Sequence, residues 1–182
     1  MTPAGLLLIV PVGRASAAVP LQPLAAALTR VLGLRCAVAE DRLDAAFAFD
    51  DDRNQYHSTR LLERLTREYA TGFRILGVTA HDLFVPVLSF VFGEAQVSGL
   101  CAVVSTHRLR EETYGLPPDP HILLERLTKE AVHELGHTFG LRHCDDWTCV
   151  MASTNSVERL DIRTATFCDH CRPLVERVLH GG

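Results

Sequence analysis

No stretch of this sequence reaches the roughly 20 consecutive apolar residues that a helix needs to cross a bilayer. Internal repeats, low-complexity tracts and Pro/Gly/Ser-rich linkers are also missing, so nothing marks a domain boundary. The 18 Lys and Arg are scattered among 22 Asp and Glu, for a net charge of −4. That excludes the basic patches of nucleic-acid or polybasic membrane binding. What is left is an ordinary globular composition, 47% hydrophobic and 22% charged over 182 residues. Such a chain is long enough for a sizeable core, and the expectation is one domain over 1–182. The apolar run Leu6–Val10 has no Lys or Arg before it. This argues against a signal peptide, although Ala15-Ser16-Ala17 could pass for a cleavage site. Cleavage there would also remove the best first strand. A cytoplasmic monomer is expected, with secretion as the alternative.

Six cysteines are present. Cys36 and Cys101 stand alone in apolar runs and read as small buried hydrophobes. Cys144, Cys149, Cys168 and Cys171 form two pairs within the last 40 residues. Paired spacing of this kind suits a metal, and hence a reducing compartment; two disulfides or four free thiols are the alternatives.

Leu6–Val10 reads as a buried strand. Leu21, Leu24, Ala25, Leu28 and Val31 recur at helical spacing, and Arg35–Val38 is a short strand. Residues 49–56, FDDDRNQY, read as a polar loop. Leu61, Leu62, Leu65 and Tyr69 mark a second helix, with Ser58 as its possible N-cap. Arg74–Thr79, Ser89–Phe92 and Leu100–Ser105 read as strands. A longer helix follows, capped by Asp119, with Pro120 first and Gly140 ending it in a left-handed turn. Its stripe Leu124, Leu127, Ala131 and Leu135 should face the core, with the opposite face unpacked. A last short helix starts at Pro173 and stops before Gly181-Gly182. The order implies a mixed α/β fold, one sheet with helices against it. Residues 1–143 would hold the sheet and the long helix, and 144–182 the cysteine-rich segment.

His133-Glu134-x-x-His137 on that helix puts two imidazoles one turn apart, close enough to bind one ion, with a carboxylate beside them. Gly140 and His143 extend the pattern to H-E-x-x-H-x-x-G-x-x-H, expected by chance in about one chain in ten thousand. The glycine has a mechanical use: a positive φ turns the chain and brings His143 back to the same ion. Three histidines and a water complete a catalytic zinc site, with Glu134 placed to take a proton from the water. Four thiolates make a closed, structural zinc site, so two Zn²⁺ per chain are expected. Because Cys144 follows His143, the second zinc would restrain the third histidine, with the two metals within roughly 15 Å. Met151 reads as a methionine turn beneath the catalytic zinc. His57, His81, His107, His121, His170 and His180 read as surface residues.

The histidine motif with its following methionine resembles the metzincin clan of zinc peptidases. With Cys144-x4-Cys149, Val150-Met151 and Cys168-x-x-Cys171 it resembles the archaemetzincins in particular. RNQYHSTRLL (53–62) and GVTAHDLFVPVLSFVFGEA (77–95) are similar to that family as well. The resemblance implies a compact zincin-like fold, zinc on His133, His137 and His143, Glu134 as general base, and a four-cysteine zinc. It further implies an edge strand around Ser89–Gln96 that pairs with an extended peptide or protein substrate. A catalytically weak peptide-binding module and a hydrolase of non-peptide amides are the competing readings. No residue is assigned to the oxyanion.

Overall fold

The computed structural model describes residues 5–14, 19–69 and 74–180. The candidate cleavage site Ala15-Ser16-Ala17 and the glycines Gly181-Gly182 lie outside them. Strand β1 (Leu6–Val12), helix α1 (Leu21–Leu32) and strand β2 (Arg35–Val38) come first. A hairpin of β3 (Phe49–Asp50) and β4 (Gln55–His57) runs into helix α2 (Ser58–Tyr69). Strands β5 (Arg74–Thr79), β6 (Leu83–Phe84), β7 (Gly93–Ala95) and β8 (Cys101–Ser105) follow. Helix α3 (Pro120–Thr138) and the short helices α4 (Val157–Ile162) and α5 (Arg172–Leu179) complete the order.

The main sheet is ordered β2-β1-β5-β8-β7, parallel except for β7, which pairs antiparallel with β8 and forms an edge. This is the expected mixed α/β architecture, but not in one sheet: β3, β4 and β6 form a second, small sheet in the order β3-β4-β6. The central strands of the main sheet are covered on both faces, which is why they read as unbroken apolar runs. Alternate residues go to opposite layers. Leu76, Val78, Ala102 and Val104 pack toward α1 and α3, beside Leu24, Leu28, Leu127 and Leu135. Ile75, Cys101 and Val103 pack toward α2, beside Leu61, Leu62 and Leu65. Among the described residues, no helix is long and apolar enough to cross a membrane.

Three local expectations need correcting. FDDDRNQY is a tight hairpin, not an open loop. Asn54 turns at φ 53° and the Asp50 carboxylate accepts from Arg53 N at 3.0 Å, closing β3 onto β4. Those strands, two and three residues long, are too short to show a period. Ser89–Phe92 is not a strand: Val91 makes one isolated bridge to Leu83, and the edge strand starts at Gly93. Ser58 does not cap α2 from outside. It is the helix's first residue, and its hydroxyl bonds the Phe84 carbonyl and the Glu94 carboxylate instead.

Helix α3 begins as its sequence implies. Asp119 Oδ1 accepts from His121 N and Ile122 N at 2.9 and 3.0 Å, with Pro120 in the first turn. Its end is a Schellman turn: Gly140 has φ 95°, Gly140 N donates to His137 O, and Leu141 N donates to Gly136 O. The opposite face of α3 is packed, contrary to expectation. Arg126, Lys129, Glu130, His133 and Glu134 are all buried. Residues 144–167 fold back over that face, and charged side chains on the helix bond their backbone. Lys129 Nζ donates to Asp161 O at 3.1 Å, for example.

Candidate active site

The three motif histidines converge. Their ring centroids stand 4.7, 5.3 and 5.0 Å apart, and their ligand nitrogens lie within 4.8 Å of one another. The backbone fixes which nitrogen faces inward. His133 Nδ1 sits 2.7 Å from Val150 O, and His137 Nδ1 sits 2.9 Å from Leu141 O. A carbonyl only accepts, so both Nδ1 atoms carry the proton and both Nε2 atoms present a lone pair. Those Nε2 atoms are 3.1 Å apart. Two lone pairs cannot form a hydrogen bond; they face a common point. Nitrogens about 2.0–2.1 Å from one tetrahedral zinc stand about 3.3 Å apart, so the spacing fits that ion. Burial first, then the charge of Arg163, lowers the His133 pKa to about 3 and keeps the ring neutral, as a ligand must be. The Schellman turn that returns His143 also supplies the Leu141 carbonyl that orients His137.

Glu134 lies on the same helix, buried under the edge strand. Gly93 of β7 makes the space: a Cβ there would stand 2.8 Å from Glu134 Cγ and 2.7 Å from Val103 O. Burial, then the charges of Glu130 and Glu94, pushes the Glu134 pKa well above the usual carboxylate range. A cleft of about 350 Å³ runs past His133, Glu134 and His143, between residues 88–93 and Ser153–Asn155.

The four clustered cysteines also meet. Their sulfurs lie within 4.8 Å of one another, and Cys144 Sγ is 3.7 Å from Cys168 Sγ. None of them is in a disulfide. Thiolates about 2.3 Å from one tetrahedral zinc stand about 3.8 Å apart, so this set fits too. Backbone N–H groups of Cys171 and then His170 hold the Cys168 thiol down at about 7. Burial raises Cys149 and Cys171, so four thiolates this close call for a dication. Met151 packs against α3 at Gly136. A Cβ on Gly136 would stand 2.3 Å from its sulfur, so only glycine leaves room. Cys144 N donates to Met151 O at 3.0 Å, tying the two centres together.

Arg163 escapes sequence reasoning. It stands in a polar stretch with no informative spacing, yet its side chain is only 1% exposed. Its Nη1 donates to Val150 O (3.1 Å) and Ala152 O (2.6 Å), and its Nη2 pairs with the buried Glu130 carboxylate. Its Nη1 also lies 3.0 Å from His133 Nδ1, but both atoms are donors, so this contact is electrostatic and not a hydrogen bond. Glu130 carried a signal: with His133, Glu134 and His137 it completes one helix face at i, i+3, i+4 and i+7. Of the six remaining histidines, His121, His170 and His180 are exposed as expected. His57, His81 and His107 are half-buried around the small sheet, with His81 stacked 4.0 Å from Tyr56.

The model of peptidase family M54 matches residues 37–177. An archaemetzincin of Methanopyrus kandleri is 44% identical over 135 residues, 74% of each chain. The crystal structure of archaemetzincin from Methanopyrus kandleri superposes with a TM-score of 0.83 at 35% identity, covering 99% of this chain and 98% of that one. A zinc-dependent peptidase from Methanocorpusculum labreanum gives 0.82 at 31% identity, covering 94% and 100%.

Proposed function

The chain belongs to peptidase family M54, the archaemetzincins, and is a zinc metallopeptidase; from that premise we propose a division of labour among its residues. His133, His137 and His143 hold a catalytic zinc, and Cys144, Cys149, Cys168 and Cys171 hold a second, structural one. Zinc on the histidines supplies a Lewis acid and acidifies water. Glu134 takes the proton from the attacking water and passes it to the leaving nitrogen. Its raised proton affinity suits both transfers. The outer edge of β7 is free to add an extended peptide as a further strand, running along the cleft. The second zinc fixes Cys144, and through it the neighbouring His143 and the Met151 turn. The substrate is a peptide or protein, with no nucleic-acid or membrane partner. Four thiols grouped for metal suit a reducing compartment, which supports a monomer working in the cytoplasm.

The observation that carries this reading is the pair of carbonyls on Nδ1 of His133 and His137, which leaves two unprotonated nitrogens aimed at one point. Comparing wild type with Glu134→Gln on a peptide library tests it. The variant should keep its metal and lose cleavage. Equal cleavage by both proteins refutes the role of Glu134. Peptides retained but never cut would indicate a binding module, and turnover confined to acylated small molecules would indicate a different amide substrate.

A further inference from the structure

Residues 53–59, RNQYHST, take no part in the chemistry above, yet they grip one wall of the cleft along its length. Arg53 Nη2 donates to Leu88 O and Ser89 O at 2.7 and 3.2 Å, and its guanidinium lies 4.2 Å over the Phe84 ring. Gln55 Nε2 donates to Ser89 O and to Asp82 Oδ2, both at 2.9 Å. Asp82 is held in turn by Arg108, through two 2.7 Å bonds, and the Arg108 guanidinium lies 4.2 Å over the Phe90 ring. At the far end Ser58 and Thr59, the first residues of α2, bond the Glu94 carboxylate of β7. The wall's inner end is tied to β8, where Ser105 N donates to Phe92 O and Gly93 pairs with Val104, but residues 88–91 have little backbone support: Val91 N bonds Leu83 O and Leu88 N bonds Val85 O. The outer part of the wall is therefore held largely by the Arg53 and Gln55 side chains on Leu88 O and Ser89 O.

We propose that Arg53, Gln55, Ser58 and Thr59, with Asp82, are positioning residues for substrate: they hold the cleft wall and β7 in a conformation ready for an extended peptide. This inference rests on the metallopeptidase reading. A wall already ordered spares the peptide the cost of ordering it, so the clamp acts on affinity. The histidines and Glu134 are carried by α3 and the turn after it, and none of them bonds to the clamp. Chemistry and affinity are thereby separable at Arg53 and Gln55, whereas Ser58 and Thr59 hold Glu94, whose charge reaches Glu134.

The test uses the zinc-loaded full-length protein and two inhibitors. Acetohydroxamate reports the metal centre alone, whereas a peptide hydroxamate needs the wall as well. Gln55→Met removes, at similar volume, the donor to Ser89 O and Asp82 and the acceptor for Arg53 Nε. Arg53→Ala, at a half-exposed site, serves as the second variant in case the first does not fold. Each should weaken the peptide hydroxamate about tenfold and raise KM by a similar factor, with kcat within about twofold and acetohydroxamate unaffected. Unchanged peptide-hydroxamate affinity in both variants overturns the proposal. A parallel loss for both inhibitors also overturns it, because the effect then passes through the metal centre. Failure of the wild type to bind either inhibitor refutes the metallopeptidase reading, and this inference with it.

Discussion

Replacing Gly93 with alanine should separate metal binding from catalysis. The added methyl would stand 2.7 Å from Val103 O, 2.8 Å from Glu134 Cγ and 3.1 Å from Glu134 Cδ, where folded proteins essentially never place a Cβ closer than 3.0 Å. Val103 belongs to β8, paired on both sides by β5 and β7, so its carbonyl has little freedom. The Glu134 side chain must then give way, by about 0.6 Å to reach the ordinary 3.4 Å contact. Overpacking of this kind costs about 1–3 kcal/mol. For a domain of this size that is a fall in Tm of roughly 2–12 °C. With Glu134 in the proton-transfer role proposed above, misplacing it by a sizeable fraction of an ångström should lower kcat by about 10- to 100-fold. The atoms nearest the methyl belong to Val103 and Glu134 and not to a histidine, so zinc content should not change. Elemental analysis, thermal melts and kcat on one peptide substrate read the three effects separately. Wild-type kcat in a folded Gly93→Ala protein would refute the placement of Glu134 against β7.

The proposed second metal centre predicts about two zinc per chain, and Cys168→Ser should remove one of them and lower Tm while leaving the other bound. Arg163→Met leaves the Glu130 carboxylate buried without its partner and should cost about 3–5 kcal/mol in chemical denaturation; adding Glu130→Gln should restore most of that. The Asp82 carboxyl is pushed up by burial but pulled further down by the Arg108 and Gln55 hydrogen bonds and the Arg108 charge, so its folded pKa lies below the unfolded one. A depressed carboxylate stabilises above the unfolded pKa and loses that contribution as pH falls through the folded value. The Tm gap between wild type and Asp82→Asn should therefore stay constant from about pH 5 to 8 and shrink below about pH 4.

Much of the site was legible because its ligands are close in sequence and carried by one helix. Asp119, Pro120 and Gly140 give the ends of α3, and i, i+4 spacing puts His133 and His137 on one face; helix geometry does the rest. Gly140 likewise announces the turn that returns His143. The apolar runs of β1, β5 and β8 are recognisable because both faces of those strands are covered. Short elements were not legible: β3, β4 and β6 have two or three residues each, less than one cycle of any pattern.

The sequence by itself determined the candidate ligand set, the helix that carries two of its histidines and the glycine turn that brings back the third, since all are fixed by local backbone geometry. Only the tertiary structure decided what surrounds them. Burial of Arg163 against Glu130, the tautomers imposed by Val150 and Leu141, the room Gly93 gives Glu134 and the grip of 53–59 on the cleft wall each depend on contacts between distant segments. Such contacts leave no period or spacing in the chain, because what places these side chains is the packing of one layer on another.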